Sequence, residues 1–183
     1  MSEIENPYQL FADEFTEADQ SELAHFDCGE ADDAPWARAA NEWLFGSDVW
    51  ESKKRGTTVW LYRLASGVLV GFGSLGLTRR RWPPPDGGYA NLLIIPMLGI
   101  DRQCHAQPPD EEMRYSRQIL NHLLYEASQL YQSEKERGRS ILDLLTLWVH
   151  EDNCRAIRLY EKFGFAAVRS TAKKPMMLMV RRL

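Results

Sequence analysis

The chain has 183 residues, of which 44% are hydrophobic and 26% charged, and its formal net charge is −4. Such a composition reads as soluble and globular, with material for one full core. It excludes a membrane helix, since no apolar run reaches the roughly 18 residues needed. It also argues against broad, non-specific nucleic-acid binding, which rests on phosphate neutralisation by Lys and Arg.

The opening MSEIENPYQL is acidic and polar, unlike a secretory signal, and the first 14 or so residues read as a tail. Cys28, Cys104 and Cys154 are widely spaced and odd in number. They suit a reducing, cytoplasmic compartment better than a disulfide frame, and no pair has zinc-like spacing with histidine, so no metal is expected. Phe15 to Phe26 reads as a first short helix. Asp32-Asp33 would cap a second, with Trp36, Ala39, Ala40, Trp43 and Leu44 as its apolar face. Trp36, Trp43 and Trp50 recur every seven residues, a spacing that places them on one helix face against a core.

Thr57 to Leu64 and Val68 to Leu77 read as strands around a tight turn at Ala65-Ser66-Gly67. Arg79-Arg80-Arg81 that follows reads as a solvated loop more readily than as a phosphate site. Trp82 to Gly88 is a loop with three prolines. Asn91 to Ile100 is an apolar strand interrupted by Pro96, which marks a bulge or an unpaired edge. Met113 to Gln132 has the clearest helical stripe: Ile119, Leu120, Leu123, Leu124, Ala127 and Leu130. Glu134 to Arg137, before Gly138, reads as its exposed end, and His122 as an exposed residue of the same helix. A strand over Ile141 to Val149 follows.

Leu147 to Phe165, LWVHEDNCRAIRLYEKFGF, is the most informative stretch. Asp152 and Asn153 are good N-cap residues, so a helix should begin near Cys154. Ala156, Ile157, Tyr160 and Phe163 share one face of it, and Gly164 stops it. Ala166 to Arg169 and Met176 to Val180 read as a closing hairpin around Lys173-Lys174-Pro175. Strands alternating with helices indicate a mixed α/β sheet.

The spacing of Asn153, Ala156-Ile157, Leu159-Tyr160-Glu161-Lys162 and Gly164-Phe165 resembles the second characteristic half of the GNAT superfamily of N-acetyltransferases. The resemblance runs over roughly residues 15 to 183. It implies a single-domain GNAT fold over 1–183, with a mixed, mostly antiparallel sheet of six to seven strands flanked by about four helices. It implies acetyl-coenzyme A as cosubstrate and direct transfer to an amine-bearing acceptor. Asn153 and Ala156 would then contact the cofactor arm, and a backbone N–H within Leu98, Gly99 and Ile100 would polarise the thioester. Tyr160 would protonate the departing thiolate. His150, at the mouth of its strand, and Asp101 are the candidate bases; each has an equally plain reading, as a cap and as a solvated carboxylate. Cys104 and Cys154 as nucleophiles of a ping-pong scheme are less favoured than small packing residues.

The chain departs from the family at the pyrophosphate turn. Where the family has glycines leading into the long helix, this chain reads Glu111-Glu112-Met113-Arg114-Tyr115-Ser116. Ser116 would serve as the small residue beside Tyr115, and Arg114 or Arg117 would supply charge to a phosphate. The other outcome is a GNAT-fold binding or regulatory module that has lost its cofactor. Phe26-Asp27-Cys28-Gly29, followed by Trp36, also resembles a GNAT subgroup that includes toxins acetylating aminoacyl-tRNA, although Asp33-Ala34 replaces the pair that usually precedes that Trp. Nucleic acid is a partner only under that alternative, no membrane partner is expected, and a monomer or a homodimer is compatible with the pattern.

Overall fold

The structure is a computed structural model and describes residues 6–29, 34–105, 107–168 and 175–183. In chain order its elements are β1 (Leu10–Glu14), a 3-10 turn (Glu17–His25), α1 (Pro35–Phe45), α2 (Ser47–Lys54), β2 (Thr58–Leu64) and β3 (Leu69–Trp82). Then come β4 (Gly88–Ile95), β5 (Leu98–Ile100), a 3-10 turn (Arg102–Cys104), α3 (Tyr115–Glu136), β6 (Leu144–His150), α4 (Cys154–Lys162), β7 (Ala166–Val168) and β8 (Met176–Arg182). This is an α/β chain of eight strands, one or two more than the sequence implies. The additions are β1, which the sequence reads as tail, and the separate β5. The chain divides into two compact units, Met1–Ser74 with Met97–His122, and Leu75–Pro96 with Leu123–Leu183.

In the first unit β1 pairs antiparallel with β2, Ala12 opposite Tyr62, and β3 pairs antiparallel with β5, Phe72 opposite Gly99. The expected first helix is a 3-10 turn. Asp19 closes its start: Oδ2 accepts from the Thr16 N–H at 2.7 Å and from the Thr16 hydroxyl at 2.8 Å, while the Asp19 N–H donates to the Thr16 carbonyl at 3.2 Å. The tryptophan face is split between two helices, because the first ends at Gly46. A Cβ on Gly46 would lie 2.5 Å from the Glu42 carbonyl oxygen. The tryptophans are nonetheless core. Trp43 stacks on Phe72 at 5.8 Å, while Trp36 and Trp50 pack against the same cluster. The Asp32-Asp33 cap lies outside the described residues; the helix opens instead on Pro35 at its first turn.

In the second unit β3 pairs with β4, β4 runs parallel to β6, and β8 lies between β6 and β7, antiparallel to both. Leu92, Leu93, Leu123, Ala127, Leu145, Leu147 and Met179 are buried in its core. The closing strand pair is as expected, with 169–174 between its strands outside the described residues. Two readings are corrected here. Arg79, Arg80 and Arg81 are not a loop, because β3 continues to Trp82. Glu134 is not exposed: it is 2% accessible and accepts from Arg137 at 3.1 Å and Arg139 at 2.6 Å. A buried carboxylate is stable only when so paired.

Pro96 breaks the expected strand over Asn91 to Ile100. Gly73 opposes Leu98 while Gly76 opposes Ile94, so the β4–β5 side carries one residue more than β3. Pro has no N–H to offer the ladder. The fully buried Ser74 fills in: its hydroxyl donates to the Met97 carbonyl at 2.7 Å and accepts from the Met97 N–H at 2.9 Å.

Candidate functional site

In the first unit, Leu98, Gly99 and Ile100 form β5, held along one edge by β3. The Asp101 N–H donates to the Val70 carbonyl at 2.9 Å and the Met97 N–H to Ser74. By alternation the Gly99 N–H also points to β3, and the Leu98 and Ile100 N–H groups point to the other edge. The Ile100 N–H meets the Cys28 thiol. Leu98 therefore keeps the free donor of the three. Gly99 is required by close approach, since a Cβ there would lie 2.5 Å from Phe72 and 2.6 Å from Cys28 Sγ.

Asp101 is 7% exposed and both its oxygens are engaged: Oδ2 accepts from the Asp27 N–H at 3.0 Å and Oδ1 from the Gln103 N–H at 2.9 Å. It ties the Asp27-Cys28-Gly29 segment to the end of β5. Asp27 in turn accepts from Gly29 and Asn41, bonds that hold its carboxyl below the ordinary range. Cys28 is buried, and desolvation, helped by the charges of Asp101 and Asp27, pushes its thiol up to about 12. It is a packing thiol and no nucleophile.

The start of α3 carries the altered turn. The Tyr115 side chain is 4% exposed and its N–H donates to the Gln107 carbonyl at 3.2 Å, so Tyr115 belongs to the core and offers nothing to a ligand. Arg117 is committed to Glu112 at 3.0 Å, which also neutralises one of the two glutamates of the turn. Arg114 differs: its Nε is buried without a hydrogen-bond partner among the described residues. Neither does any described group accept from the Ser116 N–H. An orphaned guanidinium nitrogen and a free N–H at the start of a helix of 22 residues fit a phosphate. His122, expected to be exposed, is partly buried, with Nδ1 2.9 Å from the Tyr62 hydroxyl and its ring edge-on to Trp60.

In the second unit, Asn153 caps α4: its Oδ1 accepts from the Ala156 N–H at 3.1 Å. The cap leaves the Asn153 Nδ2 as a donor. Tyr160, two turns on, is 8% exposed and packs against Phe165 at 5.8 Å. Burial pushes its phenol up to about 12, and no described residue hydrogen-bonds its hydroxyl. The group is a protonated acid throughout the neutral range. His150 ends β6, with Nδ1 3.3 Å from the Asp152 N–H and 3.7 Å from its carboxylate. Cys154 is exposed, not packed. The structure places His150, Asn153 and Ala156 at one strand–helix junction, with Tyr160 near the far end of the same helix. It gathers Leu98, Gly99, Ile100 and Asp101 on and beside β5, and Arg114 and Ser116 at the start of α3. The sequence reading did not single out Arg80, whose Nε is also buried without a partner.

No protein-family model matches the sequence, and no curated protein matches it. Solved structures do match the fold. The PaiA N-acetyltransferase of Thermoplasma acidophilum in complex with coenzyme A superposes with a TM-score of 0.59 at 17% identity, covering 96% of this chain and 99% of that one. A GNAT-family acetyltransferase of Staphylococcus aureus gives 0.62 at 13% identity, with 96% and 99% covered. The AtaT protein complexed with acetyl-methionyl-tRNAfMet gives 0.59 at 16% identity, with 93% and 94% covered. The likeness is one of fold over nearly the whole chain.

Proposed function

We propose that this chain, which has the fold of the GNAT N-acetyltransferases, is a single-domain acyltransferase moving acetyl from acetyl-coenzyme A to an amine by direct attack. The observation that carries the reading is the orphaned Arg114 Nε and the free Ser116 N–H at the turn where the family it resembles holds pyrophosphate; the Asn153 cap and Tyr160, within the other unit, fit the same pattern. Arg114 and the Ser116 N–H would hold the phosphates in place of the glycines. Asn153 Nδ2 would donate to the cofactor arm. The bound thioester supplies an activated acetyl group.

Amine attack forms the C–N bond and breaks the C–S bond. The Leu98 N–H is the donor for the oxygen that becomes negative. Tyr160, protonated throughout the neutral range, would give its proton to the departing sulfur as the thiolate charge develops beside it. His150 is the base for the ammonium proton. It would take the proton at Nδ1, which accepts from the Asp152 N–H at 3.3 Å, with the Asp152 carboxylate 3.7 Å away to hold the imidazolium that forms. Asp101 is left to position β5. The test is calorimetric titration of the purified chain with acetyl-coenzyme A. Micromolar binding that weakens in Arg114→Gln and Asn153→Ala supports the reading. No binding at millimolar cofactor sinks it and favours a GNAT-fold regulatory module.

A second reading, acetylation of aminoacyl-tRNA, draws on the β3–β4 ribbon. Arg79 and Arg81 lie at 5.6 and 5.4 Å from the ring of Tyr89, which is 64% exposed. Cationic and aromatic groups interleaved in this way suit nucleic acid. Loss of cell-free translation on adding the chain with acetyl-coenzyme A, and not without it, would select this reading.

A further inference from the structure

Buried charges in this chain are matched wherever the fold alone needs them. Arg63 is half-buried and meets Asp19 at 3.0 Å, Glu22 at 2.7 Å and Asp13 at 3.4 Å. The buried Glu134 has two arginines. Among the described residues two buried side-chain nitrogens lack a partner, and both belong to arginines: Arg114 Nε and Arg80 Nε. The first sits at the turn already assigned to phosphate. The second has no assignment.

Arg80 lies on a defined face. It opposes Ala90 on β4, while Thr78 opposes Leu92 and Gly76 opposes Ile94. Ile94 opposes Thr146 on β6. Side chains directly opposite one another share a face, and residues two apart in a strand share it too. Arg80 therefore lies on the face of Thr146, Trp148 and His150. Its guanidinium carbon is 5.3 Å from the centre of the Trp148 ring. Trp148 is the neighbour of His150 on that face. Arg79 and Arg81 lie on the opposite face, against Tyr89.

A half-buried guanidinium without a counter-charge is costly. Burial alone, with no acid opposing it, draws the Arg80 pKa below its ordinary value. The Trp148 ring offsets part of that cost, since the ring face attracts a cation. It also fixes the plane of the fork and takes up one of its faces. The N–H edge is left without an acceptor. Such an edge matches a carboxylate or a phosphate.

We propose that Arg80, held on Trp148, binds an anionic group of the acceptor, so that the amines this chain acetylates carry a carboxylate or phosphate and are not polyamines. The proposal rests on the acyltransferase reading for the word acceptor, and on Arg80 alone for the anion.

The first experiment separates the two. The full chain is melted with increasing inorganic phosphate, as wild type, Arg80→Met and Arg114→Gln. Phosphate should raise the Tm of Arg114→Gln, in which the cofactor turn is disabled, and adding Arg80→Met to that variant should abolish the increment. Without phosphate, Arg80→Met should melt at or above wild type, because it removes a desolvated cation. An increment in Arg114→Gln that survives addition of Arg80→Met overturns the proposal, as does the absence of any increment in Arg114→Gln, which assigns phosphate to the cofactor turn alone. The second experiment compares acceptors: methionine and glucosamine 6-phosphate against spermidine and butylamine. Arg80→Met should raise KM for the anionic amines at least tenfold and change butylamine turnover less than twofold. Preference for spermidine, or weakening of coenzyme A binding in Arg80→Met as large as in Arg114→Gln, would also overturn it. Failure of coenzyme A to bind at all would remove the acyltransferase reading and leave the melting result to decide the anion site.

Discussion

Residues carry the chemistry here through burial more than through charge pairs. Tyr160 is the clearest instance. Its phenol is raised to about 12 by desolvation, so no titration of Tyr160 should appear in an activity profile below pH 10. Tyr160→Phe keeps the ring against Phe165 and removes only the proton. It should lower kcat by about 10²-fold or more, with cofactor affinity changed little, as steady-state kinetics would show. An unchanged kcat would return Tyr160 to the core. His150→Gln should cost turnover with acetyl-coenzyme A affinity little changed, as the same kinetics would show. The cysteines divide the same way. Cys154 is exposed and should be alkylated first by iodoacetamide at pH 8, while Cys28, buried and raised to about 12, should resist until the chain unfolds. Mass spectrometry after timed labelling distinguishes the two.

At the scale of elements, the strand break at Pro96 and the turn before α3 are where sequence and structure inform each other. The sequence shows the break plainly, because a Pro cannot serve a ladder. It does not show that Ser74 supplies the missing bonds, since that partner is 23 residues away. Gly99 follows from the same geometry: Gly99→Ala drives a methyl into Phe72 and Cys28, and should destabilise by about 1–3 kcal/mol in urea unfolding. The helix stripes of α3 and α4 and the Asn153 cap were legible because period and capping are local. The second half of β3 was not. Arg79 to Arg81 resemble a solvated run, and only the pairing with β4 makes them strand. The turn before α3 was legible as a departure from the family. The division within it was not: Arg117 answers Glu112, while Arg114 Nε is buried without a hydrogen-bond partner among the described residues. Glu112→Gln should therefore tighten acetyl-coenzyme A by removing a like charge and releasing Arg117, a severalfold change in Kd by calorimetry.

For the molecule as a whole, each compact unit holds a buried acid whose proton the fold retains: Cys28 in the first and Tyr160 in the second. A free thiol and a free phenol titrate near 9.0 and 10.0, and both groups are raised to about 12. Tyr115 and Cys104 are raised as well, by burial first. A raised folded pKa contributes stability that is complete below the unfolded value and is lost as pH climbs through the folded one. Between about pH 9 and 12 the unfolded chain binds fewer protons than the native chain, so unfolding free energy must fall with pH. Nothing in the sequence announces this, because Cys28 and Tyr160 titrate normally until a core closes over them. Urea unfolding at pH 7, 9 and 11 should show a constant free energy over the first step and a clear drop over the second. Cys28→Ala should flatten the early part of that drop, and Tyr160→Phe the later part. A drop that both variants leave unchanged would show that neither proton is held by the fold, and the acid role of Tyr160 would lose its physical basis.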